Sequence, residues 1–118
     1  MISGIGIDII ELNRIQRAVL RKERFIDRIL TDKEKEQYTN YQREDRKIEF
    51  LAGRFAAKEA FAKATGKGIG KLSFQHIEIL SADQGAPVIK VPGYDSKKIF
   101  LSISHSKDYA VAQVVITL

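Results

Sequence analysis

The sequence predicts an α+β domain: an N-terminal strand and helices, with one long buried helix packed on a mainly antiparallel sheet. Three observations carry that expectation. Residues 48–66, IEFLAGRFAAKEAFAKATG, are rich in helix formers and end on Gly66, a natural C-terminal stop. Their apolar residues fall on two stripes, Ile48, Leu51, Ala52, Phe55 and Ala62 on one, Phe50, Ala57, Phe61 and Ala64 on the other. A helix apolar on two sides belongs between layers. From Leu72 onward the apolar period shortens to two, without the strict strand–helix alternation of a parallel sheet.

Ile2 to Ile10 is the first strand. Ile5, Ile7 and Ile9 share one face; Gly4, Gly6 and Asp8 share the other. Glycine weakens a strand, so two of them beside Asp8 imply that something approaches this backbone closely. Aspartate is disfavoured in strands, and Asp8 keeps two readings: an edge carboxylate or cap of the next helix, or a ligand. Glu11 to about Leu30 is helical with a break near Arg21 to Glu23, and Leu12, Ile15, Val19, Ile26 and Leu30 face inward. Arg14, Arg17, Arg21, Arg24 and Arg28 recur at spacings of three and four and line one outer face. A solvated face is the plain reading of a charged stripe. Here every member is arginine, which suits forked recognition of carboxylate or phosphate, and Phe25 at its border offers an apolar anchor. The expectation is therefore a docking surface for an acidic partner.

Thr31-Asp32-Lys33-Glu34 fits a capping box, opening a third helix that runs to about Tyr41; a polar loop through Asp45 precedes the long helix. The GKGIG segment, 66–70, follows a helix instead of opening one, so it is no Walker loop. It is either a flexible connector or a phosphate-contacting loop charged by Lys63 and Lys67. Phe74 to Leu80 and Pro87 to Val91 are strands joined through Ser81 to Ala86, a hairpin signal. Pro92-Gly93 marks a turn, Ile99 to Ser104 a strand, and His105 to Asp108 the next turn. Tyr109 to Leu118 is apolar on both faces, as befits a central strand or one covered by another subunit. His76, inside a strand pattern, carries no functional expectation.

At 118 residues the chain is expected to form a single domain, 1–118. With 44% hydrophobic and 30% charged residues it is globular rather than disordered. It has no cysteine, which excludes disulfides and thiolate sites. Apolar runs fall far short of a membrane span and no signal peptide is visible, so the cytoplasm is the default compartment. A net charge of +5 favours an anionic partner: nucleic acid, a phosphorylated cofactor or an acidic protein.

Glu59 is the anomaly of the long helix. It projects from the middle of an apolar stripe, where a lone carboxylate must be protonated, paired or bound to a metal. Three sites then stand out: Asp8 beside glycines, Glu59, and Ser104-His105-Ser106 at a strand end. Two carboxylates without a thiolate or histidine pair suit a hard cation such as Mg²⁺, which completes its shell with water and substrate phosphates. Arg54, Lys58, Lys63 and Lys67 lie near Glu59 in sequence and are candidates to steady those phosphates. A lone histidine at a turn is commonly structural, yet His105 as cation or donor also suits a phosphate.

Three segments together resemble the holo-acyl-carrier-protein synthases, the small group of 4'-phosphopantetheinyl transferases: Gly4-Ile5-Gly6-Ile7-Asp8, Phe55-Ala56-Ala57-Lys58-Glu59-Ala60 with Lys63, and Leu101-Ser102-Ile103-Ser104-His105. Order, spacing and length fit over nearly the whole chain; Ser106 stands where Thr or Asp is as common. The resemblance implies transfer of 4'-phosphopantetheine from coenzyme A to a serine of acyl carrier protein, for fatty acid biosynthesis. It implies Asp8 and Glu59 as Mg²⁺ ligands, and Glu59, directly or through a bound water, as acceptor of the serine proton. Lys63 would neutralise diphosphate charge. Arg54, Lys63, Gly66, Ser104, His105 and Ser106 would contact the coenzyme, and Arg14, Arg21, Arg24 and Phe25 would dock the carrier. It further implies a homotrimer with active sites between subunits. Two rival readings are a nucleic-acid module, resting on the basic charge, and a scaffold without chemistry, which would leave Glu59 paired with Lys63. Carboxylates without a metal repel phosphate, which weighs against the first.

Overall fold

Gly4 and Gly6 let the first strand and the long helix touch backbone to backbone. In the computed structural model, which describes residues 1–70, 72–82 and 85–118, strand β1 (Ile2–Glu11) lies directly under helix α4 (Glu44–Thr65). A Cβ on Gly6 would sit 1.8 Å from the Ala60 carbonyl oxygen, and one on Gly4 2.1 Å from that of Ala64. Any side chain at either position would drive the two elements apart. The close approach that these glycines imply is therefore made by α4, whose own contact residues are alanines.

β1 pairs antiparallel with β5 (Tyr109–Thr117), which pairs antiparallel with β4 (Ile99–His105), giving the order β1-β5-β4. The strand apolar on both faces is thus the central one. Its inner residues Ala110, Ala112, Val114 and Ile116 are buried. Across that inner face α4 runs diagonally. Gly53 lies over Ile103 of β4, and Ala60 and Ala64 lie over Gly6 and Gly4 of β1. The outer face is left open: Ile5, Ile7, Ile9, Phe100 and Tyr109 are all exposed. A second, two-stranded sheet, β2 (Glu78–Ser81) with β3 (Pro87–Lys90), buries Ile79 and Ile89.

Between β1 and α4 come α1 (Leu12–Arg21), α2 (Arg24–Ile29) and α3 (Asp32–Asn40). The break expected near Arg21 to Glu23 is present, with Lys22 in extended geometry. Both arms of the capping box form at Thr31 and Glu34. Gly66 closes α4 in the left-handed region, φ +76°.

Two expectations are corrected. α4 starts at Glu44, so Asp45 belongs to the helix instead of the preceding loop. Glu44 and Asp45 complement the positive helix end, a signal that apolar periodicity does not carry. Phe74–His76 is a 3₁₀ turn, and the strand begins only at Glu78. There Ser73 Oγ accepts from the Gln75 N–H, and the Ser73 N–H donates to His76 Nδ1. Such local side-chain bonds compete with a sheet ladder. Asp83 and Gln84 of the expected hairpin connection lie outside the described residues.

Candidate active site

Adjacent residues of α4 meet opposite surroundings. Lys58 is fully buried, and its Nζ donates to Ile29 O (2.6 Å), Phe74 O (3.0 Å) and Glu34 Oε1 (2.6 Å). Glu34, equally buried, also accepts the N–H groups of Thr31 and Ile79, each at 2.8 Å. Burial pulls the Lys58 ammonium below its ordinary range, and Glu34 opposes that pull. All three ammonium protons have acceptors, so Lys58 ties α2, α3 and the Phe74 turn to α4. This corrects the expectation that it steadies phosphates. Arg54 also turns inward: Nε donates to Ile79 O at 3.2 Å, Nη2 to Ser81 Oγ at 3.1 Å, and the guanidinium lies 4.3 Å from the centre of the Phe50 ring. Two of its guanidinium nitrogens are engaged by β2 and its plane by an aromatic face.

Glu59, one residue on, is only partly buried and lies within reach of the charge of Asp8. Asp8 reaches the same space from the inner face of β1, two residues beyond Gly6. Burial, and then the charge of Asp8, raise the Glu59 carboxyl above its ordinary range; Lys63 works in the opposite direction. Lys63 Nζ donates to Asp8 Oδ1 at 3.1 Å and to Ile7 O at 2.9 Å. The ion pair of Lys63 is thus with Asp8. Two carboxylates and one ammonium leave a net negative charge facing one partly exposed space.

No cluster of three or more potential metal-ligating side chains occurs among the described residues. The carboxylate pair supplies two hard oxygen donors and no soft or imidazole donor. That set fits Mg²⁺, which takes one or two carboxylates and leaves the rest of its shell to water and phosphate, and it fits zinc poorly.

Ser104 and His105 end β4 and Ser106 follows it, on the opposite edge of the sheet from Asp8. Two strand spacings, about 10 Å, separate those edges. Within one chain the carboxylate pair and the Ser-His-Ser group do not converge, because α4 lies across the inner face between them. Ser106 Oγ accepts from the N–H groups of Asp108 (3.4 Å) and Tyr109 (3.2 Å), fixing the turn. His105 Nδ1 lies 3.5 Å from Glu49 Oε2. Glu49 is a contact that sequence reasoning missed, although the logic applied to Glu59, a carboxylate on a helix buried on most sides, applies to it too.

The remaining expected residues are placed plainly. Gly66 is the left-handed C-cap, with its N–H bonded to Lys63 O at 3.1 Å. Lys67 lies 5.6 Å from the centre of the Tyr94 ring. Arg14, Arg21 and Arg24 are exposed on α1 and α2, and Phe25 is half-buried with its ring 6.2 Å from that of Phe55.

Residues 4–114 match the model of the 4'-phosphopantetheinyl transferase superfamily. The holo-[acyl-carrier-protein] synthase of Oceanobacillus iheyensis is 60% identical over 116 residues, covering 98% of this chain and 97% of its own. A crystal structure of the holo-(acyl-carrier-protein) synthase of Bacillus anthracis, in complex with CoA (3',5'-ADP), superposes with a TM-score of 0.88 at 50% identity, covering 98% of this chain and 96% of its own. The Helicobacter pylori holo-[acyl-carrier-protein] synthase in complex with coenzyme A gives 0.82 at 36% identity, with 96% and 99% covered.

Proposed function

This chain belongs to the 4'-phosphopantetheinyl transferase superfamily, and from that membership we propose that it is a holo-[acyl-carrier-protein] synthase. It takes coenzyme A as co-substrate and moves the 4'-phosphopantetheine group to a serine hydroxyl of apo acyl carrier protein. The serine oxygen attacks the phosphorus on the pantetheine side. The bond to the bridging diphosphate oxygen breaks, and adenosine 3',5'-bisphosphate leaves. The observation that carries this reading is the 60% identity to a holo-[acyl-carrier-protein] synthase across 98% of the chain.

Asp8 and Glu59 would hold Mg²⁺. When bound, that ion supplies Lewis-acid stabilisation of diphosphate charge. The serine proton passes to the Glu59 carboxylate, directly or through a water. Lys63 steadies the same diphosphate, from a position where it already balances Asp8. Gly66, at the end of α4, sets the path of the backbone beside it. Ser104, His105 and Ser106 serve the coenzyme phosphates. Arg14, Arg21, Arg24 and Phe25 form the face for an acidic carrier. Reversing the charge at Arg14 is expected to raise the KM for carrier more than that for coenzyme A.

The chain acts as a homotrimer of single-domain subunits in the cytoplasm, with the β4 end of one copy completing the carboxylate site of the next. Two observations support this: the two halves occupy opposite edges of one sheet, and the outer sheet face exposes Ile5, Ile7, Ile9 and Phe100. Among the described residues, no helix is long and apolar enough to cross a membrane.

The test is direct. Protein, coenzyme A and Mg²⁺ are mixed with apo carrier, and the carrier is weighed by mass spectrometry. A gain equal to one phosphopantetheine is expected; an unchanged mass removes the reading. Mixing Asp8→Asn with His105→Ala, each impaired alone, is then expected to give more activity than either, because some mixed interfaces carry both intact halves. No recovery after subunit exchange places both halves in one subunit.

A further inference from the structure

Glu49 is held in an unusual way. Its Oε1 is the one buried side-chain oxygen without a hydrogen-bond partner among the described residues. Arg46 Nη1 lies 3.6 Å from that oxygen, an ion-pair distance beyond hydrogen-bond reach. The other oxygen, Oε2, lies 3.5 Å from His105 Nδ1. A carboxylate short of partners in a partly buried place costs folding free energy. The same fold satisfies Glu34 on both oxygens, where that residue serves only to close the structure.

We propose that Glu49 is the positioning residue of His105: its carboxylate draws the Nδ1 edge of the ring onto α4 and so turns the Nε2 edge outward, as an aimed donor to a coenzyme phosphate. This rests on the reading of His105 as a phosphate contact. A carboxylate on one ring nitrogen fixes the tautomer and leaves the other nitrogen as the directed group. The His105 side chain is 44% exposed against 22% for Glu49, so the ring bridges a covered anion and open solvent. Glu11, Asp45, Lys107, Asp108 and Tyr109 line the cavity beside Glu49 and, with Arg46, are the charged and titratable groups that face it.

The experiment is a double-mutant cycle on the full-length protein, with coenzyme A varied at saturating apo carrier and Mg²⁺. Glu49→Leu is expected to raise the KM for coenzyme A about tenfold, the worth of one charge-assisted hydrogen bond, with kcat nearly unchanged. Glu49→Gln, which keeps an acceptor oxygen, recovers part of that loss; it also decides the matter if the leucine variant does not fold. In a His105→Ala background, either Glu49 change adds nothing further. An undiminished Glu49 effect in that background overturns the proposal, since Glu49 then acts without His105. A normal KM in both Glu49 variants, beside a raised KM in His105→Ala, overturns it too while leaving the phosphate role of His105 intact. A normal KM in His105→Ala removes the underlying reading and this inference together.

Discussion

Lys58 and Glu59 are neighbours in the chain and opposites in surroundings. An α-helix turns about 100° per residue, so one faces α2, α3 and the Phe74 turn while the other faces β1. Lys58 finds a carboxylate and two carbonyls and is closed off from water. Glu59 finds another carboxylate and stays half-open. The first arrangement is complete within the chain; the second carries a mutual repulsion that Lys63 offsets in part and that a bound cation would relieve further. Complete satisfaction marks a group that holds the fold, and an unresolved charge marks one that awaits a ligand.

Substitutions at the two positions should therefore separate activity from stability. The largest effect is expected at Glu59→Gln, which removes the proton acceptor while keeping its shape. Transfer, followed by carrier mass, should fall by roughly 10²–10⁴-fold with the melting temperature held or raised. Lys58→Met is expected to do the reverse. It leaves Glu34 charged and unpaired in the interior, which should lower stability by about 3–5 kcal/mol in urea unfolding, with near-normal turnover in the fraction that remains folded. Equal losses of activity and stability at both positions would erase the distinction.

The smallest effect concerns pH. The Glu59 carboxyl is raised in the folded chain, so its contribution to stability is fully present below its ordinary value of 4.5 and is lost as pH rises through the raised value. In buffer free of divalent ions, Glu59→Gln should therefore melt above the parent at neutral pH, and the gap should close below the ordinary carboxyl range. Added Mg²⁺ should raise the parent and leave the variant nearly unmoved.

Much of this was legible in the residues. Thr31 and Glu34 announce a helix start, Gly66 announces an end, and Gly4 and Gly6 announce a backbone contact. These are local signals. The fate of Lys58 was not legible, although it too sits among apolar neighbours, with Leu51, Phe55 and Ala62 on its side of the helix. A long basic side chain there is ordinarily read as reaching for solvent, and its acceptors come from residues 29, 34 and 74. Separation of the carboxylate pair from Ser104 to Ser106 was hidden for a similar reason. It depends on β5 entering between β1 and β4, a matter of strand order that no short motif encodes.

The glycine seam between β1 and α4 has a consequence for how the carboxylates are spaced. Asp8 is two residues from Gly6, and Glu59 adjoins Ala60, the residue whose carbonyl Gly6 meets. The gap between the two acids is therefore gauged by main chain resting on main chain, with no core side chain as a shim. Hydrophobic residues elsewhere can drift in size over generations without widening it, whereas a single methyl group added at position 6 would prise the jaws open.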